Sequence, residues 1–270
     1  MDNLLKVLID NIQKQRTLRE DEYWMHEIPE RCIPVLWFGN HKQKKMIATL
    51  GANPSRNEFF KSRTAAEKGD YLPFDLARFY TFTPKDLMKP DSPETIQKII
   101  QSYDQYFKTA PYTRWFGKPN LEAYNVEGFL NGYGASFYRE GLGCIHLDLI
   151  PFATIKDFKS LDKTKLESSF FKNGWANQNL NRLIKLLNLQ RVFIFGRTNV
   201  DWFNRYYSSL QMNEEYKSGS VKSEFGHSTI KVNGLSIPVT GISTNFGNPR
   251  GFDKKTIFDF GAFFKSDGEI

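Results

Sequence analysis

Four short apolar runs punctuate this chain: Lys45 to Ala52, Cys144 to Ile150, Arg191 to Gly196 and Ser236 to Ile242. Each has strand length, is rich in Ile, Val, Leu or Phe, and ends in Gly, Pro or polar residues. Helical stretches lie between and after them. The alternation predicts an α/β fold of three α/β/α layers, with a central four-stranded, mainly parallel sheet and helices on both faces. Two antiparallel edge additions are expected. Ile33 to Phe38, followed by Gly39-Asn40-His41, can pair back onto the first run, and Thr229 to Val232 can pair with the fourth through Asn233-Gly234, a strong hairpin signal.

The helices are legible in outline. Residues 3 to 16 form one. Ser92-Pro93-Glu94 places a cap and a proline at the first helical position, ahead of Ile96, Ile99, Ile100, Tyr103 and Phe107 at helical spacing. Leu161 to Phe171 and Ala176 to Leu189 read as a pair split by Asn173-Gly174, Gly196 as a tight turn into a helix starting near Thr198, and Asp253 to Phe264 as a last helix capped by Asp253. Between about residues 61 and 135 the rhythm breaks. This stretch carries Tyr71, Phe74, Phe79, Tyr80, Phe82, Tyr112, Trp115 and Phe116 among prolines and basic residues, and reads as an aromatic-rich insertion over the carboxyl edge of the sheet. With no internal repeat, low-complexity tract or linker, residues 1–270 are expected to form a single domain.

Composition narrows the classes. The 24 Phe imply either a Phe-rich core or several exposed stacking surfaces. An excess of 37 Lys and Arg over 30 Asp and Glu gives a net charge of +7, which favours anionic partners such as DNA or another nucleic acid. Cys32 and Cys144 are too few for a disulfide framework, a four-cysteine metal site or an iron-sulfur cluster, so a reducing cytoplasm is the expected location. An early acid and polar breaks near the N-terminus predict no signal peptide, and no stretch is long enough to span a bilayer. No cofactor, no metal, no membrane and a monomeric state are expected. The histidines, His26, His41, His146 and His227, are scattered, and no CxxC or HExxH spacing occurs.

The chemistry concentrates where strands end. Ile47 to Ser55 reads as an apolar run closing in Gly51-Ala52-Asn53-Pro54-Ser55, which delivers Asn53 to the carboxyl edge of a sheet, where open α/β folds bind ligands. A residue before proline is held extended, so the Asn53 amide is expected to point outward. Ser55 with Glu58 fits a capping box. In the second run Cys144, His146 and Asp148 share one strand face. His146 and Asp148 are expected to satisfy each other or a neighbouring helix, with Asp148, nearer the edge, also a site candidate. Thiol catalysis is not expected from this row, because strand neighbours two apart seldom present attack geometry and no oxyanion donor is identifiable. After the fourth run, Ser243 to Phe252 leads to Asp253-Lys254-Lys255 at a helix start. That is a candidate phosphate site, with Gly247 and Gly251 for close backbone approach and Pro249 or Phe252 as a wedge between bases.

In chain order these pieces resemble the uracil-DNA glycosylase superfamily: Gly51 to Ser55 as a GxNPS motif, His146 to Thr154 as HLDLxPxAT, Val192 to Gly196 as a strand ending in Gly, and Asn245 to Gly251 in place of the HPS-type loop. The resemblance covers roughly residues 45 to 60 and 144 to 265. It implies hydrolysis of the N-glycosidic bond of a damaged or deaminated base flipped from DNA. Asn53 would position the attacking water, with Asn248 or, in the other register, Asn245 contacting the base. Phe59 or Phe60 would stack on that base, and Gly51, Ala52, Asp148 and Pro151 would line its site. Ser55, Pro249, Arg250, Gly251, Lys254 and Lys255 would meet the DNA. Asn-Pro-Arg replaces the loop histidine motif here. An ionised Asp148 suits amino or ring N–H groups rather than a carbonyl, which implies a base other than uracil or another direction for this side chain. Two other functions fit the same features: a catalytically silent nucleic-acid-binding relative, and a small-nucleotide-processing enzyme.

Overall fold

The computed structural model describes residues 2–43, 45–73, 76–109, 111–119, 124–139, 141–247, 249 and 251–266. In chain order the helices are α1 (Asp2–Leu18), α2 (Glu22–Glu27), α3 (Arg63–Glu67), α4 (Pro84–Met88), α5 (Pro93–Thr109), α6 (Thr113–Phe116), α7 (Asn125–Tyr133), α8 (Lys163–Leu166), α9 (Trp175–Leu186), α10 (Arg197–Tyr206) and α11 (Lys254–Ser266). The strands are β1 (Lys45–Gly51), β2 (Leu142–Asp148), β3 (Leu189–Phe195), β4 (Gln211–Ser218), β5 (Val221–Val232) and β6 (Leu235–Ile242). Two compact units interleave along the chain. Met1–Phe38, Ala52–Ala110 and Leu147–Leu186 make the first, and Gly39–Gly51, Pro111–His146 and Leu187–Ile270 the second.

The sheet runs in the order β2-β1-β3-β6-β5-β4, with β1 and β6 parallel to β3, and β5 antiparallel to both β6 and β4. The fold is therefore α/β with a mixed sheet, but of six strands where the apolar runs predicted four. The two extra positions are β4, whose largely polar residues form no apolar run, and β5, of which only Thr229 to Val232 was among the expected edge additions. The Asn233-Gly234 hairpin forms as expected. Both residues have positive φ (48° and 82°) and Val232 pairs with Leu235, the geometry of a two-residue type I′ turn.

The other edge addition is not built as a strand among the described residues. Residues 33–37 carry no strand, and Pro34 in their midst has no N–H to give to a ladder. Instead Cys32 bridges to Thr81 and Val35 N donates to Pro151 O at 2.7 Å, all within the first unit.

The stretch from 61 to 135 is largely helical, carrying α3 to α7. Its aromatics answer the question raised by the Phe content: Phe79, Tyr80, Phe82 and Phe116 are buried, while Phe74 lies outside the described residues. In the first unit Phe79 stacks on Tyr106 (4.9 Å, 14°) and meets Phe38 edge-on. In the second unit Phe129 of α7 is ringed by Phe193, Phe195, Phe246, Phe260 and Phe264. A buried carboxylate organises the exit of α7: Glu127 accepts from Ser136 Oγ (2.6 Å) and Phe137 N (3.0 Å), and burial pushes it up to about 7.

Helix ends follow the sequence signals. Ser92 Oγ accepts from Thr95 N ahead of Ile96, and Asp253 Oδ1 accepts from Thr256 N (2.7 Å) at the start of α11. Asn173-Gly174 separates α9 from a π-turn, Glu167–Phe171, that ends the preceding helix. Gly196, at φ 91°, turns the chain from β3 into α10. No helix among the described residues is long and apolar enough to cross a membrane.

Candidate functional site

In the first unit, the turn after β1 is clamped to the segment after β2. Ile150 N donates to Ala52 O at 3.1 Å. Asn53 Nδ2 donates to Phe152 O (3.2 Å) and to Thr154 Oγ1 (3.0 Å). Thr154 Oγ1 gives its own hydrogen to Lys156 O (2.7 Å), and a backbone carbonyl only accepts. The group of Asn53 facing these two oxygens must therefore be its NH2. That fixes the amide orientation and turns Oδ1 the other way, where nothing among the described residues donates to it. The result is a half-buried, pre-oriented acceptor on a hydrogen-bonded turn.

The residues that follow are anchored from two sides. Arg56 Nη1 reaches Ile155 O (3.3 Å) and Asp157 Oδ1 (2.6 Å). Ser55 Oγ accepts from Asn57 N (3.2 Å) and caps a single 3-10 turn, Arg56–Glu58. The capping box is not completed, because Glu58 turns inward. Its carboxylate is buried and receives Tyr106 Oη at 3.2 Å on each oxygen and Arg78 Nη1 at 3.3 Å, while Arg78 Nη1 also holds Asn57 O at 3.0 Å. Burial pushes Glu58 up to about 7 against the pull of Arg78 and Tyr106, and the charge of Asp148 adds to the rise.

Phe59 and Phe60 lie in the core, at 0 % and 1 % exposure, packed on Phe79 and Tyr71 respectively. Neither has a face open to a base. Two adjacent phenylalanines after a turn could be read either as a stacking surface or as core, and packing against the aromatics of 61–135 decides for core. Asp148 and Pro151 are buried in the same unit as Asn53.

In the second unit His146 bonds Thr49 on the neighbouring strand (Nδ1 to Oγ1, 2.7 Å), and its ring lies against Trp115 and Phe116 of α6. Strand β1, next to β2 in the sheet, offers side chains that pattern reading of β2 alone does not show. Cys32 and Cys144 are buried, and burial pushes both thiols well up, so neither is a nucleophile at neutral pH. Both should therefore stay unlabelled by a thiol-reactive disulfide reagent in the folded protein and react fully in denaturant; rapid labelling of either in native buffer would contradict the packing.

The loop after β6 is ordered by its own polar groups. Exposed Asn245 accepts from Gly247 N through Oδ1 (2.9 Å), leaving Nδ2 as the outward donor. Gly247 is required here, since a Cβ would come to 2.7 Å of Trp115 Cδ1. Gly251 has φ 80° and is exposed, and Pro249 O accepts from Phe252 N. Asn248 and Arg250 lie outside the described residues. Phe252 is buried against Phe246 and Phe260, so of the two expected wedges only Pro249 is partly exposed.

The helix-start phosphate site is altered by its own cap. Asp253 occupies an amide at the α11 start and is held below the usual carboxylate range by that bond. Lys254 lies over the Tyr124 ring (5.3 Å) and Lys255 pairs with Asp259. An anion would meet two lysine side chains beside a carboxylate rather than bare helix amides. Among the described residues no group of three or more His, Cys, Asp and Glu is placed to hold a metal.

The residues that pattern reading underrated are Thr154, Glu58, Arg78 and Tyr106. Thr154 stood within the second motif, but its hydroxyl gains meaning only when the two strand ends meet. No protein-family model matches the chain, and no curated protein matches it.

Proposed function

We infer that this protein hydrolyses the N-glycosidic bond of a base flipped out of DNA, as its resemblance to the uracil-DNA glycosylase superfamily implies. The observation that carries the reading is the locked Asn53 amide: the GxNPS asparagine and the threonine of HLDLxPxAT, the two motifs of the resemblance, hydrogen-bond to each other. A water donating to Asn53 Oδ1 would be held with a lone pair free for attack on the anomeric carbon. The C–O bond forms as the C–N bond breaks, the departing base takes the electron pair, and the water's surplus proton is released.

Asparagine orients water without deprotonating it, so most of the barrier must be lowered by stabilising an oxocarbenium-like sugar and a base anion. Asp148 in the same unit is the candidate for reading an amino or ring N–H of the base. Stacking is not assigned to Phe59 or Phe60, which the core already uses. DNA as partner draws support from the +7 charge and from the exposed Lys254 and Lys255. A three-layer arrangement, a monomer and a cytoplasmic setting go with this reading.

The test is base release from single- and double-stranded oligonucleotides carrying uracil, hypoxanthine, xanthine or mismatches. Release of at least one base by the wild type is expected. Salt-dependent binding with no release on any substrate would instead favour a catalytically silent DNA-binding protein. Competition by mononucleotides but not by oligonucleotides would favour a small-nucleotide enzyme.

A further inference from the structure

Glu58 is five residues from Asn53, and the groups that bond its carboxylate or raise its charge cost belong to other parts of the first unit. Tyr106 comes from α5, Arg78 from the segment between α3 and α4, and the opposing charge, Asp148, from the end of β2. Arg78 also closes the turn from outside: its guanidinium holds Asn57 O, and its backbone N donates to Glu58 O at 3.1 Å. The turn bearing Asn53 is thus pinned at one end by Phe152 and Thr154 and at the other by a buried carboxylate with two donors.

We propose that Glu58 is a positioning residue for Asn53: ionised, it binds Tyr106 and Arg78 and fixes the turn; protonated, it gives up part of that hold and lets the Asn53 amide shift. The chemistry requires this difference. A carboxylate accepts from Tyr106 and Arg78 at once, with charge to match the guanidinium. A carboxylic acid loses that charge and carries a hydroxyl that must itself donate, so Arg78 loses its ion pair and Tyr106 must turn from donor to acceptor or give way.

The switch falls in the physiological range because burial and Asp148 oppose ionisation while Arg78 and Tyr106 favour it, leaving Glu58 at about 7. Linkage runs with a definite sign. The folded-state value lies above the ordinary 4.5, so folding holds the proton more tightly, and the stability contribution of Glu58 is complete below 4.5 and lost as pH rises through about 7. Ionisation therefore tightens the turn at the expense of overall stability. The functional consequence rests on the glycosylase reading; the structural one does not.

The test pairs NMR of the full-length chain with base release, both followed from pH 5.5 to 8.5. In the wild type the Asn53 side-chain NH2 resonances should move with a neutral inflection that matches the Glu58 carboxyl carbon, and base release should rise through the same inflection in kcat rather than KM. Glu58→Gln keeps one acceptor for Tyr106 or Arg78, so it should fold, show no inflection in either signal, and lose the fall in urea midpoint that the wild type shows across this range. Tyr106→Phe removes a donor to the ionised form and should move the inflection upward. Asn53 resonances that ignore the Glu58 titration, or an inflection that survives in Glu58→Gln, would overturn the proposal. A wild type that releases no base but shows the coupled NMR titration would remove the glycosylase reading and leave Glu58 as the positioning group of this turn.

Discussion

Asn53→Ala is expected to lower base release by about 10²-fold or more while leaving the melting temperature nearly unchanged, a loss on the scale of misplacing one reacting group. The half-buried side chain contributes two hydrogen bonds at the rim of the first unit, so truncation costs little stability, but it removes the acceptor that would hold the water. Thr154→Val should reduce the rate by a smaller factor, on the order of 10, because Phe152 O still holds Nδ2 and the amide loses only one of its two restraints. Asn53→Asp is the sharper control. A carboxylate is the stronger base, so if basicity limited the reaction the rate would rise. Here the site offers Phe152 O and a hydroxyl already committed to Lys156 O, and an aspartate has no hydrogen to give either. The rate should fall. Single-turnover release measured for the three variants decides the matter, and wild-type release from Asn53→Ala would end the assignment of this residue.

The same clamp shows what was legible in the sequence. The parallel strands β1, β3 and β6, the Asn233-Gly234 hairpin and the capped starts of α5 and α11 were written locally, in apolar runs and in residues that tolerate one backbone geometry. Strand β4 and most of β5 were not, because β4 is polar and largely exposed and the apolar positions of β5 are interrupted by Lys222, Ser223, Glu224, Gly226 and His227. At the candidate site, Asn53 was legible because the proline after it and the glycine before it mark a strand end. Its partner Thr154 carries no local signal beyond its place in the second motif. Glu58 read as a cap, and its true partners Arg78 and Tyr106 lie 20 and 48 positions away. Phe59 and Phe60 show the same dependence: whether a ring meets solvent or core is decided by residues distant in sequence, here Phe79 and Tyr71.

Gly132→Ala and Gly261→Ala should each destabilise the protein by about 3 kcal/mol, at the upper end for overpacking, and lower the thermal midpoint by several degrees. The sign is informative, since in an unobstructed helix interior alanine stabilises relative to glycine by about 1 kcal/mol. Within the second unit α7 and α11 cross at these two positions. A Cβ on Gly132 would overlap the backbone carbonyl of Phe258, and a Cβ on Gly261 the backbone carbonyl of Phe129. Because the obstacle is main chain, trimming a side chain cannot relieve it, and Phe258→Ala should not rescue Gly132→Ala. The crossing carries weight because Phe129, Phe260 and Phe264 pack around it against Phe193 and Phe195 of β3. Forcing the helices apart therefore loosens the whole aromatic cluster. Once either alanine has separated them, the other meets less resistance, so the double variant should lose less than the two single losses added together. Chemical denaturation of the two single variants and the double completes the cycle. Single effects within about 0.5 kcal/mol of wild type, the range of ordinary surface changes, would show that the helices do not touch at these glycines.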